Sequence, residues 1–144
     1  MAGQQSRRLD LWHPRQTGET LADGVTATVT DDLETIRITV SRQVGADRGG
    51  AGSGGPLTVV AVDGEIDHDT ASLLRLTLSQ ALDGRTPVCC ELSRVTFFGA
   101  AAANVLLAAN RQADAVGCSF SLDGVAGMTD RVLSIVDPEG VIAR

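Results

Sequence analysis

Aromatic residues are scarce in this sequence: they make up 3% of it, with one tryptophan, Trp12, and no tyrosine. Because hydrophobic residues still reach 43%, a core has to be built mainly from Val, Leu, Ile and Ala. The 144 residues leave room for one globular domain with a substantial core. We predict a flexible N-terminal tail over 1–24 and a single domain over 25–144. Trp12 either anchors this tail on the domain or on a partner, or is itself loosely packed.

Clusters of basic residues are also missing, and the formal net charge is −6. A nucleic-acid binder usually presents a basic face, so we expect no nucleic-acid partner. Nothing resembles a Lys/Arg-rich amphipathic stretch, and the longest apolar helix candidate, 100–109, is too short to cross a bilayer. The first residues lack the apolar run of a signal peptide. These features predict a cytoplasmic protein with no membrane contact.

Cysteine is rare, and its three copies do not suit a disulfide framework or a zinc site. Cys89 and Cys90 are adjacent in an apolar strand, so their side chains should point to opposite faces of a sheet. Cys118 opens a later strand. One interpretation is that all three are small buried hydrophobic residues. The other is a redox pair between Cys118 and Cys89 or Cys90, if their strands are neighbours.

The N-terminal part of the predicted domain is β-rich. Two runs of alternating β-branched residues, 25–30 and 34–41, flank an acidic turn, which predicts a hairpin or an extra strand before the main sheet. The glycine-rich segment 44–56 follows. Its spacing does not match a phosphate-binding loop, so we predict a flexible linker.

The rest of the chain alternates strands and helices. The continuous apolar run 57–62 predicts a strand buried on both faces. The elements predicted after it are a helix over 71–83 ended by Gly84, a strand ending at Phe98, a helix ended by Gly117, a strand over 118–122, a helix over 128–136, and a trailing C-terminus. This β-α-β-α-β-α order predicts an α/β fold with a mixed, mostly parallel sheet, an antiparallel N-terminal edge and helices packed on the sheet.

Two places near strand ends could form a site. The strand ending at Phe98 leads into an apolar helix through the small residues 99–102, which carry no acid, base, hydroxyl or thiol. Before the first helix, Asp67 is placed to act as a cap and Asp69 to lie in the first turn. Asp67, His68 and Asp69 also suggest a metal site, but no further ligand is near in sequence. Without a catalytic triad or a phosphate loop, we expect no enzyme activity and no cofactor.

Three motifs occur together in this chain: Gly64-Glu65-Ile66-Asp67-His68-Asp69-Thr70-Ala71, Glu91-Leu92-Ser93-Arg94-Val95-Thr96-Phe97-Phe98 and Val105-Leu106-Leu107-Ala108-Ala109. In this order the chain resembles the STAS domain, from about residue 34 to 136. That family includes bacterial anti-sigma factor antagonists and the cytosolic domain of sulfate transporters. The resemblance implies a role in transcription regulation, such as a stress response, with an anti-sigma factor of the serine kinase type as the partner.

The chain departs from this family at its regulatory turn, which reads Asp-Ser-Ser-Gly in the family. Gly99 stands in place of the Asp, Ala100 in place of the phosphorylated Ser, and Ala101 in place of the second Ser. In family members, phosphorylation of the first Ser releases the partner, because a phosphate adds about −1.5 to −2 charges to the interface. Ala100 cannot accept a phosphate, so the resemblance implies that this switch is lost.

The resemblance assigns partner contacts to residues around the two strand ends. These residues are Asp67, His68, Asp69, Phe98, Gly99, Ala100, Ala101 and Asn104. Binding could persist without a switch, or the domain could bind another protein, a nucleotide or another small ligand at the strand ends. Control could also move to phosphorylation of Thr96, Ser93 or Thr70. The oligomeric state stays open, since an exposed strand over 25–29 could pair with another copy.

Overall fold

The computed structural model describes residues 26–43 and 55–144. The predicted N-terminal tail with Trp12, and all but the last two residues of the predicted linker, lie outside the described residues. In chain order the elements are β1 Thr26–Thr30, β2 Ile36–Gln43, β3 Leu57–Ile66, α1 Ala71–Asp83, β4 Val88–Phe98, α2 Ala100–Val116, β5 Phe120–Asp123 and α3 Gly127–Val136.

The five strands form one sheet in the order β1-β2-β3-β4-β5. The pairs β1–β2 and β2–β3 are antiparallel, while β3–β4 and β4–β5 are parallel. The predicted α/β class, the mixed sheet and its antiparallel N-terminal edge are confirmed. The two alternating runs form a hairpin, so the antiparallel part contains two pairings and β1 is an edge strand.

The helices and one face of the sheet enclose a single core. The connections β3-α1-β4 and β4-α2-β5 each move one strand along the sheet, and crossovers of one hand then cover the same face. Apolar side chains from all three helices join this core. Its fully enclosed members include Ile38, Val60, Val62, Leu74, Leu78, Leu82, Leu106 and Leu133, each at most 1% exposed.

Burial in β3 alternates along the strand, which corrects the prediction that both of its faces are buried. Thr58, Val60 and Val62 are buried, whereas Leu57 and Val59 are only partly buried. The two sets point to opposite faces, and the helices cover the face of the first set. The apolar run correctly predicted a strand in the middle of the sheet. It did not reveal that helices cover only one face of this strand.

Strand β3 also extends beyond the predicted end at Val62, as far as Ile66. Gly64 makes this possible with a φ of 114°, in the region that favours glycine. A Cβ atom at Gly64 would clash with the carbonyl oxygen of Thr35, and the next N–H, of Glu65, donates to that oxygen at 2.9 Å. Gly64 thus lets the chain pass close to β2 and carries the strand to the site.

The C-terminus does not trail off as predicted. Ile142 is 1% exposed, and Ala143 forms a parallel bridge with Ser121 of β5. The Ala143 carbonyl accepts the N–H of Leu122 at 2.8 Å. This segment is held by Asp137, whose carboxylate accepts two backbone N–H groups from it. The final residues are thus part of the folded domain.

Candidate functional site

The two predicted halves of the site come together at one edge of the sheet. Ile66 and Phe98, the last residues of β3 and β4, are partners in the parallel ladder. The N–H of Gly99 donates to the carbonyl of Ile66 at 3.1 Å and joins the two strand ends. The segments 67–69 and 99–101 therefore leave the sheet side by side, as parallel strands require.

The segment after β3 folds into a tight hydrogen-bonded turn. The Asp67 carboxylate accepts the N–H groups of Asp69 at 2.9 Å and Thr70 at 3.0 Å. The Thr70 hydroxyl donates to the carbonyl of Glu65 at 2.8 Å and accepts the N–H of Asp67 at 2.9 Å. Chiefly through the N–H of Thr70, this turn lowers the pKa of Asp67.

Helix α1 begins at Ala71 as predicted, but the predicted roles of Asp67 and Asp69 are wrong. Thr70 is the N-cap, and the first turn of the helix contains no acidic residue. Asp67 and Asp69 both precede the helix, because the four residues 67–70 separate it from β3. Asp67 therefore organises the turn, and His68 and Asp69 are exposed at its tip.

The segment after β4 turns directly into helix α2. Gly99 is its N-cap in an extended conformation, and its carbonyl accepts the N–H groups of Ala102 at 3.0 Å and Ala103 at 3.3 Å. No side chain in the described part of the chain caps this helix, and its first turn holds no acid. Ala100 is exposed and Ala101 is partly buried. The helix N-terminus thus presents backbone N–H groups beside a methyl group.

Phe98 does not lie at the surface, contrary to its predicted contact role. It is 1% exposed and belongs to the core, whereas its neighbour Phe97 is 42% exposed. The pairing of β3 with β4 contains two register shifts between Cys90 and Phe98, and Arg94 and Thr96 are exposed. Simple alternation from Cys90 therefore does not identify which of Phe97 and Phe98 is buried.

We call the exposed group His68, Asp69, Phe97, Ala100 and Asn104 the strand-end surface. It combines an aromatic ring, a methyl group, an imidazole, an amide and one carboxylate. The Phe97 ring folds over the turn, since its Cε2 atom is 3.3 Å from where a Cβ atom on Gly99 would lie. Within 26–43 and 55–144, no cluster of three or more His, Cys, Asp or Glu side chains could hold a metal ion. This mixture of groups suits contact with another macromolecule.

The cysteines lie away from this surface. Cys90 is fully enclosed in the core, where burial raises the pKa of its thiol, and Cys89 is 6% exposed on the opposite face. Cys118 is partly buried just before β5, which is the neighbour of β4. All three are free thiols. A redox pair between Cys118 and Cys89 or Cys90 therefore stays a prediction, and the neighbouring positions of β4 and β5 are compatible with it.

Comparison with known proteins identifies the family. The family model described as "Mlab, STAS domain" matches residues 52–142, more than half of the sequence, so the chain belongs to the STAS domain family. This confirms the resemblance seen in the three motifs. No match was found among curated proteins.

Two solved structures share the fold at low sequence identity. One is the anti-sigma factor antagonist SpoIIAA in its unphosphorylated form, with 20% identity, a TM-score of 0.50, and coverage of 56% of this chain and 71% of that chain. The other is an anti-sigma factor antagonist from Mycobacterium paratuberculosis, with 21% identity, a TM-score of 0.50, and coverage of 85% and 87%. In the described part of this chain, no helix is both long enough and apolar enough to cross a membrane.

Proposed function

We propose that this protein binds an anti-sigma factor of the serine kinase type through the strand-end surface, and that phosphorylation does not release it. The observation that carries the proposal is the exposed methyl group of Ala100 at the N-terminus of α2. The family resemblance puts the phosphorylated serine at this position, and the two structures that share the fold are anti-sigma factor antagonists.

The physical reason is that an alanine in place of a serine keeps most of the contact with a partner, whereas it removes the hydroxyl that a phosphate switch needs. A methyl group and the Phe97 ring can pack against a partner without a desolvation cost. A phosphoserine at position 100 would add about −1.5 to −2 charges at the same point. Without a hydroxyl at Ala100, the kinase has no acceptor there, and the bound state should persist in ATP.

The test is a binding titration against the anti-sigma factors of the same genome, with and without ATP. We expect the native protein to bind one of them equally well in both conditions. The variant Ala100→Ser should bind without ATP and be phosphorylated and released with ATP. Ala115→Ser is the matched control, because Ala115 is another exposed alanine of α2, near its opposite end. Failure of both the native protein and Ala100→Ser to bind would contradict the proposal.

The alternative is a STAS domain whose ligand is a nucleotide or a different protein. The uncapped N-terminus of α2 favours a small anionic ligand, since helix N-termini attract phosphate groups. A thermal-shift titration with ATP and GTP at millimolar concentration separates the two ideas. A shift that Phe97→Ala abolishes would support nucleotide binding at the strand ends, and no shift with either nucleotide would count against it.

A further inference from the structure

A large groove lies beside the strand-end surface. It has a volume of about 760 Å³ and runs between α1, α2 and the hairpin turn 31–33. Its apolar lining includes Leu33 and Leu76, which are 81% and 37% exposed, together with Val105 of α2. Gln112 of α2 lies towards one end, where its amide donates to the carbonyl of Ser79 at 3.2 Å. The groove is thus an open apolar channel between two helices.

The rim of this groove carries more acid than base. Asp31, Asp32 and Asp69 line it, and Arg75 is the one basic residue among the described residues that line it. The pKa of Asp31 is lowered by hydrogen bonds from Thr35 and Ile36, which outweigh the effect of burial, so it is negative at neutral pH. An apolar floor with an acidic rim fits a segment whose apolar side chains are flanked by cations.

The chain itself contains a segment of this chemistry. Residues 7–15 read RRLDLWHPR, with Leu9, Leu11 and Trp12 between three arginines and only one aspartate. These residues precede β1, whose far end adjoins the groove at the turn 31–33. Thirteen residues separate Trp12 from Thr26 and can span about 45 Å, whereas β1 is only about 13 Å long. The tether is therefore long enough to reach the groove.

We propose that this groove binds residues 7–15 of the same chain, with Trp12 on the apolar floor and the arginines at the acidic rim. The tether makes this binding efficient. At an effective concentration of about 1 mM, a segment with a Kd of about 0.1 mM as a free peptide would be about 90% bound. Even a weak match of side chains to groove would keep the segment in place.

Trp12 makes the proposal directly measurable, because it is the only tryptophan and there is no tyrosine. We would record the emission maximum and acrylamide quenching of the full chain, with N-acetyltryptophanamide as the solvent-exposed reference. The groove variant is Leu33→Lys with Leu76→Lys, which removes apolar contact without adding negative charge that would attract the arginines. The matched control is Met128→Lys with Ile135→Lys, since these two side chains are 51% and 75% exposed on α3. Circular dichroism checks that each variant is folded.

We expect native emission that is blue-shifted and protected from acrylamide, and unchanged in the control variant. If each groove substitution weakens binding about tenfold, the bound fraction falls to about 10%, and quenching approaches that of the reference compound. Native quenching equal to the reference would overturn the proposal, as would equal loss of protection in both variants. Protection that disappears on dilution would also overturn it and would indicate binding to a second copy.

Discussion

Asp137 should control how firmly the C-terminal segment is held, and Asp137→Asn is the most informative single change for stability. Its carboxylate is nearly inaccessible to solvent and accepts the N–H groups of Val141 at 2.9 Å and Ile142 at 3.1 Å. Arg144 completes the set with a 3.4 Å ion pair. An asparagine keeps one acceptor oxygen and turns an NH₂ group towards the second N–H donor.

The expected cost follows from that single unsatisfied donor. Leaving a buried N–H without a partner costs about 1–3 kcal/mol, so the melting temperature should fall by about 4–8 °C for a loss of about 2 kcal/mol. The assay is thermal unfolding and urea unfolding, both followed by far-UV circular dichroism, because Trp12 lies outside the described residues. Glu139→Gln is the matched control, since Glu139 is an exposed carboxylate in the same turn.

The same carboxylate gives the prediction a pH dependence. Burial raises the pKa of Asp137, but the N–H donors and Arg144 outweigh it and leave the pKa below its ordinary value of 3.8. A depressed pKa adds stability that is present above pH 3.8 and is lost as the pH falls through the folded-state pKa. The difference between native protein and Asp137→Asn should therefore shrink below pH 3.8. An Asn variant as stable as the native protein at pH 7 would refute this account.

Three further predictions concern the site and its supports. Gly64→Ala should destabilise the domain by several kcal/mol, or prevent folding, because its Cβ atom would clash with a carbonyl oxygen. Gly55→Ala is the control and should change the urea midpoint little, because a Cβ atom added there meets no described atom within 4 Å. Phe98→Ala should cost about 3–5 kcal/mol in urea unfolding, while Phe97→Ala should leave stability within about 1 kcal/mol and weaken partner binding in the titration. Gly99→Asp should raise the free energy of unfolding by about 0.5–1 kcal/mol through helix capping, because the exposed Phe97 ring can move aside. A lower urea midpoint for this variant would contradict the prediction.

The order of elements could be predicted from sequence because each element carries a local signal. The alternation in 34–41 and the glycines after α1 and α2 marked boundaries that the structure places within about two residues. The extension of β3 to Ile66 had no such signal, because it depends on the contact of Gly64 with the hairpin. Likewise, the docking of Ile142 depends on a hydrogen bond to Asp137, for which the sequence pattern gives no signal.

The sequence predicted where the two segments of the candidate site lie, but not their detailed structure. Two motifs placed 67–69 and 99–101 near strand ends, and the parallel pairing of β3 with β4 brings them together. The exposed aromatic was missed by one position, because register shifts in the pairing of β3 with β4 break the alternation along β4. The start of α1 at Ala71 was predicted, but the role of Asp67 was not, because aspartate is equally suited to a helix cap and to the turn it occupies here.

The backbone at the site explains why an alanine at position 100, where we propose that the family has its regulatory serine, need not alter the surface around it. The Gly99 N–H and carbonyl make the hydrogen bonds that join β4 to α2, and none of them uses a side chain of residues 99–101. A serine restored at Ala100 would enter an exposed position in a helix that is already formed. Its phosphate would lie at the positive end of α2 and would not strain the fold. The Ala100→Ser experiment therefore changes the chemistry of the switch while leaving its geometry in place.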